Sequence, residues 1–164
     1  MAVNSSLNAV DPRPVVRRLI GQVSGLSTSG ANYSPNNQMG GEITFAMATR
    51  ASGGYGTVTT ATIIDTANVI GAVDLHLFSS SITPAIDKSA TNFSDSAMTQ
   101  NYMGTISFPA PTSFTNNRGI SLSAIGLTYN CTSTILYGYL TTLTQHGIFN
   151  SATDITISLT TYQY

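Results

Sequence analysis

From Val15 onward, apolar and polar residues alternate with a period of two over most of the chain. Asp74 and His76 separate Val73, Leu75 and Leu77, and Thr156 and Ser158 separate Ile155, Ile157 and Leu159. Successive strand residues point to opposite faces, so each run predicts a half-buried antiparallel strand. Strands of a buried parallel sheet would read as unbroken apolar runs. Residues 43–47 set Ile43, Phe45 and Met47 against Thr44 and Ala46, predicting a strand with one core face. Residues 57–64 combine strong β propensity with weak sidedness, and residues 102–108 predict a short strand ended by Pro109. Between 120 and 129 the apolar phase slips, with Ile120, Leu122 and Ala124 on one parity and Ile125, Leu127 and Tyr129 on the other. A bulge near Ala124, with one unpaired residue, restores the register. Residues 134–143 are apolar on both faces, which predicts a strand either central between two layers or at an interface.

The punctuation agrees with this pattern. Gly53-Gly54-Tyr55-Gly56 and Asn116-Asn117-Arg118-Gly119 supply sharp turns. The longest stretch without a pattern runs from Thr83 to Gln100, where Ser94 is placed to cap a short helical turn over Asp95–Gln100. No other segment carries a stripe at helical spacing. About eight strands without helical crossovers predict an all-β fold, an antiparallel β-sandwich of jelly-roll or immunoglobulin-like kind. Residues 15–164 form its single domain. Residues 1–14 are predicted to be an extended N-terminal arm, because Pro12 and Pro14 hold the chain extended. Arg13, Arg17 and Arg18, at or beside this arm, are three of the six positive charges in the protein.

Composition sharpens the picture. Charged residues make up 8% of the 164, against about 25% in ordinary soluble domains. Ser and Thr supply roughly a quarter of the chain. A surface wetted by hydroxyls repels little and desolvates at low cost, which suits a subunit packed into a larger assembly. Net charge is −1 and the isoelectric point about 6.0, which argues against nucleic-acid binding by phosphate neutralisation. No apolar run is long enough to cross a bilayer, so no membrane partner is expected. The start MAVNSSLNAV lacks the pattern of a secretory signal, and cytoplasmic synthesis is the expectation. Cys131 has no cysteine to pair with and reads as a small buried apolar residue.

Candidate chemistry is sparse. Asp74 and His76 lie side by side on one strand face, and Asp65 is the nearest further metal ligand; the plainer expectation is a solvent-facing pair. His146 is expected in a turn. No nucleophile elbow or paired glutamates are present, so no catalytic residue, metal or cofactor is expected and the chain is expected not to be an enzyme. Gly53–Gly56 lacks the Lys-Ser/Thr of a phosphate-binding loop. Asn4, Asn92 and Asn130 begin glycosylation triplets of the kind that chance produces in so Asn-, Ser- and Thr-rich a chain. Tyr33, Tyr55, Tyr129, Tyr137, Tyr139, Tyr162 and Tyr164 offer a sugar-stacking platform in principle, but strand tyrosines more often bury the ring and wet the hydroxyl. Arg13, Pro14, Arg17 and Arg18 are the strongest candidate binding residues: an extended arm adding to a sheet edge while guanidinium groups pair with carboxylates.

In the start MAVNSSLNAVDPRPVVRRLIGQVSG, the segment GGEITFAMATRASGGYGTVTTATIIDTA and the ending TDITISLTTYQY, the chain resembles virion structural proteins of tailed bacteriophages, especially capsid decoration or cement proteins. The resemblance implies a non-enzymatic protein that docks on the major capsid protein at the outer capsid surface and reinforces the shell. It also implies a homo-oligomer, with a trimer favoured, assembled in the host bacterial cytoplasm. The alternative is another virion part, such as a head-fibre base, a tail component or a glycan-binding adsorption domain.

Overall fold

The computed structural model describes residues 13–164; residues 1–12, most of the predicted arm, lie outside the described residues. Nine strands follow: β1 (Val15–Gln22), β2 (Gln38–Phe45), β3 (Tyr55–Asp65), β4 (Val73–Phe78), β5 (Tyr102–Phe108), β6 (Thr112–Ser113), β7 (Arg118–Asn130), β8 (Leu136–Thr142) and β9 (Ile155–Gln163), with the helix α1 (Asp95–Gln100) before β5. They form two antiparallel sheets, the first ordered β1-β9-β3-β7-β6 and the second β2-β8-β4-β5.

This order decides between the two predicted connectivities. The chain pairs as one long ribbon, β1 with β9, β2 with β8, β3 with β7 and β4 with β5. Rolling that ribbon puts successive pairs in alternate sheets, which is a jelly roll. An immunoglobulin-like sandwich would pair the first two strands in one sheet, whereas here β1 and β2 lie in different sheets.

The core lies between the inner faces, where Leu19, Val58, Ala61, Ile63, Ile157 and Leu159 of the first sheet meet Ile43, Phe45, Leu75, Leu77, Ile106 and Leu140 of the second. At the corner where β1 passes β2, a Cβ on Gly21 would sit 2.5 Å from Ile43 Cγ2 and 2.7 Å from Phe45 Cε1, so only a glycine permits that approach. Phe45 ends β2, and the predicted continuation to Met47 does not occur. Met47 has φ +55° and is 61% exposed, because the chain turns out of the strand there.

The phase slip in β7 is a bulge at the expected place and larger than expected. Val58 faces Leu127 and Thr60 faces Ser123, so Ala124, Ile125 and Gly126 stand against Thr59, with positive φ at Ala124 and Gly126. β3 itself carries one more residue than β9 at this point, where Val58 pairs Thr161 and Thr60 pairs Thr160. That extra residue moves the core side from Val58 to Ala61 and Ile63. It is the physical reason for the weak sidedness of 57–64.

β8 is central, as one of its two predicted placements required. Leu136 and Leu140 enter the main core, while Tyr137 and Tyr139 face outward under residues 79–101. These residues roof the outer face of the second sheet. Phe78 and Tyr139 are buried beneath them with Ala97, and Ile82, Phe93, Tyr102 and Tyr137 pack around. The roof is stitched down by backbone bonds: Thr132 N–H to Ser79 O (3.3 Å), Gln38 N–H to Ser89 O (2.8 Å) and Thr91 N–H to Asn36 O (2.8 Å). Asp87 adds side-chain anchors, accepting from the Tyr33 hydroxyl (2.9 Å) and Gly40 N–H (2.6 Å). Ser94 caps α1 by accepting from Ala97 N–H, as predicted.

Candidate functional site

Among the described residues, the first sheet has no such roof. Its outer face is a grid whose rungs follow from the strand registers. Ile20, Ser158, Thr62 and Ser121 share one rung; Arg18, Thr160, Thr60 and Ser123 share the next. Val16, Tyr162, Thr57 and Thr128 lie beyond them, and Gln22, Thr156, Ile64 and Gly119 complete the other end. Arg18 is the single charge on these four rungs. Neighbouring hydroxyls satisfy one another, as between Thr62 and Ser121 at 2.9 Å. Val16 and Ile20 are 58% and 59% exposed, and Phe114 beside the β6–β7 turn is 59% exposed, so apolar side chains stand at both margins of the hydroxyl field.

The margin formed by β1 is also where the positive charge collects. Arg13 and Pro14 are exposed immediately before β1, and the Arg13 carbonyl accepts from Arg50 Nη1 at 3.3 Å. Arg17 and Arg18 are successive residues of the strand and therefore leave it on opposite faces. Arg18 lies over the hydroxyl field with Nη2 3.5 Å from Ser158 Oγ, and Arg17 reaches Met47 Sδ at 4.0 Å. The structure thus divides the predicted cluster, with Arg17 and Arg18 built into a paired strand and not part of a free arm. A groove of about 450 Å³ runs along this edge, lined by Val16–Ile20, Ala46 and Met47.

Most carboxylates are committed elsewhere. Asp65 is buried and accepts from the amides of Ala67 (2.8 Å), Val69 (2.7 Å) and Ile70 (2.7 Å), so the nearest candidate metal ligand is a loop organiser. Asp154 caps the turn at Asn150 and Ser151, and Glu42 accepts from Tyr139 and Ser81 hydroxyls at 2.5 Å each. Asp74 and His76 do share a face, but it is the roofed one, and the expected solvent-facing pair is corrected. The His76 ring meets Phe93 edge-on at 5.1 Å and Nδ1 lies 2.9 Å from Thr105 Oγ1. Burial lowers the His76 pKa, opposed by the charge of Asp74. His146 is likewise a correction: it sits not in a turn but in an antiparallel bridge with Tyr33, and its ring is buried, with Nδ1 accepting from Gly71 N–H and Nε2 facing Ala72 O, each at 3.2 Å. That pattern needs the neutral ring, and burial lowers its pKa.

Cys131 is buried and its thiol is pushed up to about 12, the behaviour of a packing residue. The tyrosines do not assemble one platform. Tyr33, Tyr129 and Tyr139 are buried, Tyr55 and Tyr164 stack on each other at 5.2 Å, and Tyr162 stands apart on the hydroxyl field.

No family model matches the chain, and no curated protein matches it. A match among solved structures is a chain of "Israeli acute paralysis virus heated to 63 degree - full particle", 13% identical, with 98% of this chain and 73% of that chain covered at a TM-score of 0.32. At that TM-score the overlay carries no structural or functional weight.

What the arrangement can do follows from its surface chemistry. A sheet face of neutral hydroxyls with apolar margins can be covered by another protein without stripping water from charges, which is the expensive part of desolvation. The signal for this face was present in the sequence as the Thr and Ser at alternate positions of 57–62, 121–123 and 156–160. It is visible as a surface only once the registers align the strands.

Proposed function

We propose that this chain is a non-enzymatic structural protein of a virion, a decoration or cement subunit that docks on the outer capsid lattice. The nearly charge-free outer face of the first sheet, uncovered by any of the described residues, carries this reading: residues 79–101 roof the second sheet, and no described segment does the same for the first. Jelly-roll connectivity is compatible with it, since that architecture serves capsid subunits among several other roles. The partner is the major capsid protein, and many weakly held copies reinforce the shell together by avidity. A homo-oligomer, with a trimer favoured, brings several such faces to one lattice site.

The test is to add the purified full chain to mature capsid shells that lack it, then measure co-sedimentation and the force or temperature at which shells open. Stoichiometric binding with stiffer shells is expected. Shells that neither bind the chain nor change their opening point would overturn the proposal.

A further inference from the structure

We propose that the outward edge of β1 receives an extended acidic segment of a partner protein, which adds to the first sheet as a further strand. This deepens the virion reading, from which it takes only the source of the segment, a neighbouring capsid subunit.

Among the described residues, β1 is a terminal strand whose one ladder is with β9. Every second residue of such a strand directs its N–H and C=O away from its neighbour. Among the described residues, no backbone bond from beyond the ladder reaches Val15–Gln22 on that side. The groove along this edge is open to a chain lying beside Val16–Ile20. Arg17 and Arg18 flank it from above and below the sheet, and their hydrogen bonds go to a thioether and a hydroxyl, not to a carboxylate. The carboxylates of Asp65, Asp87, Glu42 and Asp154 are already taken up in loop, roof and turn contacts.

Charge complementarity selects the occupant. A second copy pairing β1 to β1 about a two-fold axis must match side chains that share a face. Centring that pairing on Arg17 or Arg18 sets arginine against the same arginine, and centring it on Leu19 still gathers four guanidinium groups within a few rungs. A strand with two adjacent acidic residues fits instead. Its neighbouring side chains also leave on opposite faces, so one carboxylate meets Arg18 over the hydroxyl field and the other meets Arg17 beside Met47.

The experiment is an NMR titration of the isotope-labelled full chain with three synthetic octapeptides. The first alternates Thr and Val around a central Asp-Glu, the second carries Lys-Lys at the centre, and the third is the acidic peptide with proline at alternate positions. The acidic peptide is expected to shift and protect from exchange the amides of Val15–Gln22, and to weaken about tenfold between about 50 mM and about 500 mM salt. The proline peptide should lose at least about tenfold in affinity, because it cannot complete the ladder. Arg17→Glu with Arg18→Glu should reverse the preference toward Lys-Lys; the paired Arg→Gln variant, checked for a native spectrum, should bind neither peptide. Equal binding of the first two peptides, retained binding of the proline form, shifts that spare both β1 and Ala46–Met47, or no binding at all would overturn the proposal. The two readings fail separately. Shell docking left intact in the double Glu variant sinks the edge proposal alone, and peptide capture by a chain that ignores shells sinks the virion reading alone.

Discussion

Replacing Phe93 with Ala tests whether residues 79–101 belong to the fold or wait for a partner to hold them. Phe93 is half-buried and meets the rings of His76 and Phe78 edge-on, each at 5.1 Å. A fully buried Phe→Ala change costs about 3–5 kcal/mol. Half burial scales this to about 1.5–2.5 kcal/mol and the two edge-on contacts add about 0.5–1 kcal/mol each, so the expected loss is about 2.5–4.5 kcal/mol. For a chain of this size that lowers Tm by about 5–18 °C. Denaturant unfolding followed by circular dichroism reads the stability, and histidine NMR reads the second consequence. Removing the ring lets water reach His76, so its depressed pKa should move back up toward the ordinary value. A loss below about 0.5 kcal/mol together with an unmoved His76 titration would refute the claim that this roof is integral, since surface substitutions have effects of that size.

The two histidines also predict a pH dependence. Both have folded pKa values below the unfolded one, so between the folded values and about 6.5 the unfolded chain binds more protons; stability should be complete above about 6.5 and fall as pH drops through that window, read from unfolding midpoints. Asp65→Ala strips three charge-assisted bonds of about 1.5–3 kcal/mol each from one buried loop, and because such losses are not additive a total of about 3–5 kcal/mol is expected by urea denaturation. Gly21→Ala drives a methyl into Ile43 and Phe45 and should cost about 1–3 kcal/mol by the same measurement.

Period-two runs such as Val73–Leu77 and Ile155–Leu159 were legible because each strand has one core face and regular pairing. Where the backbone departs from regular pairing, the pattern blurred. Residues 57–64 lose their sidedness to the extra residue at Thr59, and Met47 fits the alternation yet lies outside β2, because a positive φ leaves no mark in the sequence of apolar residues. Residues 79–101 hid the second core for a related reason. Their anchors are backbone bonds and isolated rings, so Phe93 and Ile82 show no periodicity that would place them over His76 and Tyr139. The arginines were visible as residues, but their division between two strand faces appeared only with the register of β1 against β9.

The low charge of the chain becomes a matter of location once the fold is known. Lys88 and Arg118 fasten loops, the first on Ser29 O and the second on Asn68 and Ile70, while four of the carboxylates hold turns or the roof. Arg17 and Arg18, bonded to a thioether and a hydroxyl, lie beside the prospective contact, and the grid next to them is built from a residue type that serves two ends. Thr is β-branched and favours strands, and its hydroxyl wets the surface while exchanging partners on burial at far lower cost than a charge. A face of Thr and Ser is therefore soluble when bare and cheap to cover. Had this sheet been meant to stay in water, Lys and Glu on its outer positions would have served as well and guarded the β1 edge better. Their replacement by hydroxyls across four rungs, on the sheet that the described residues leave bare, favours the proposed contact here over one on the second sheet.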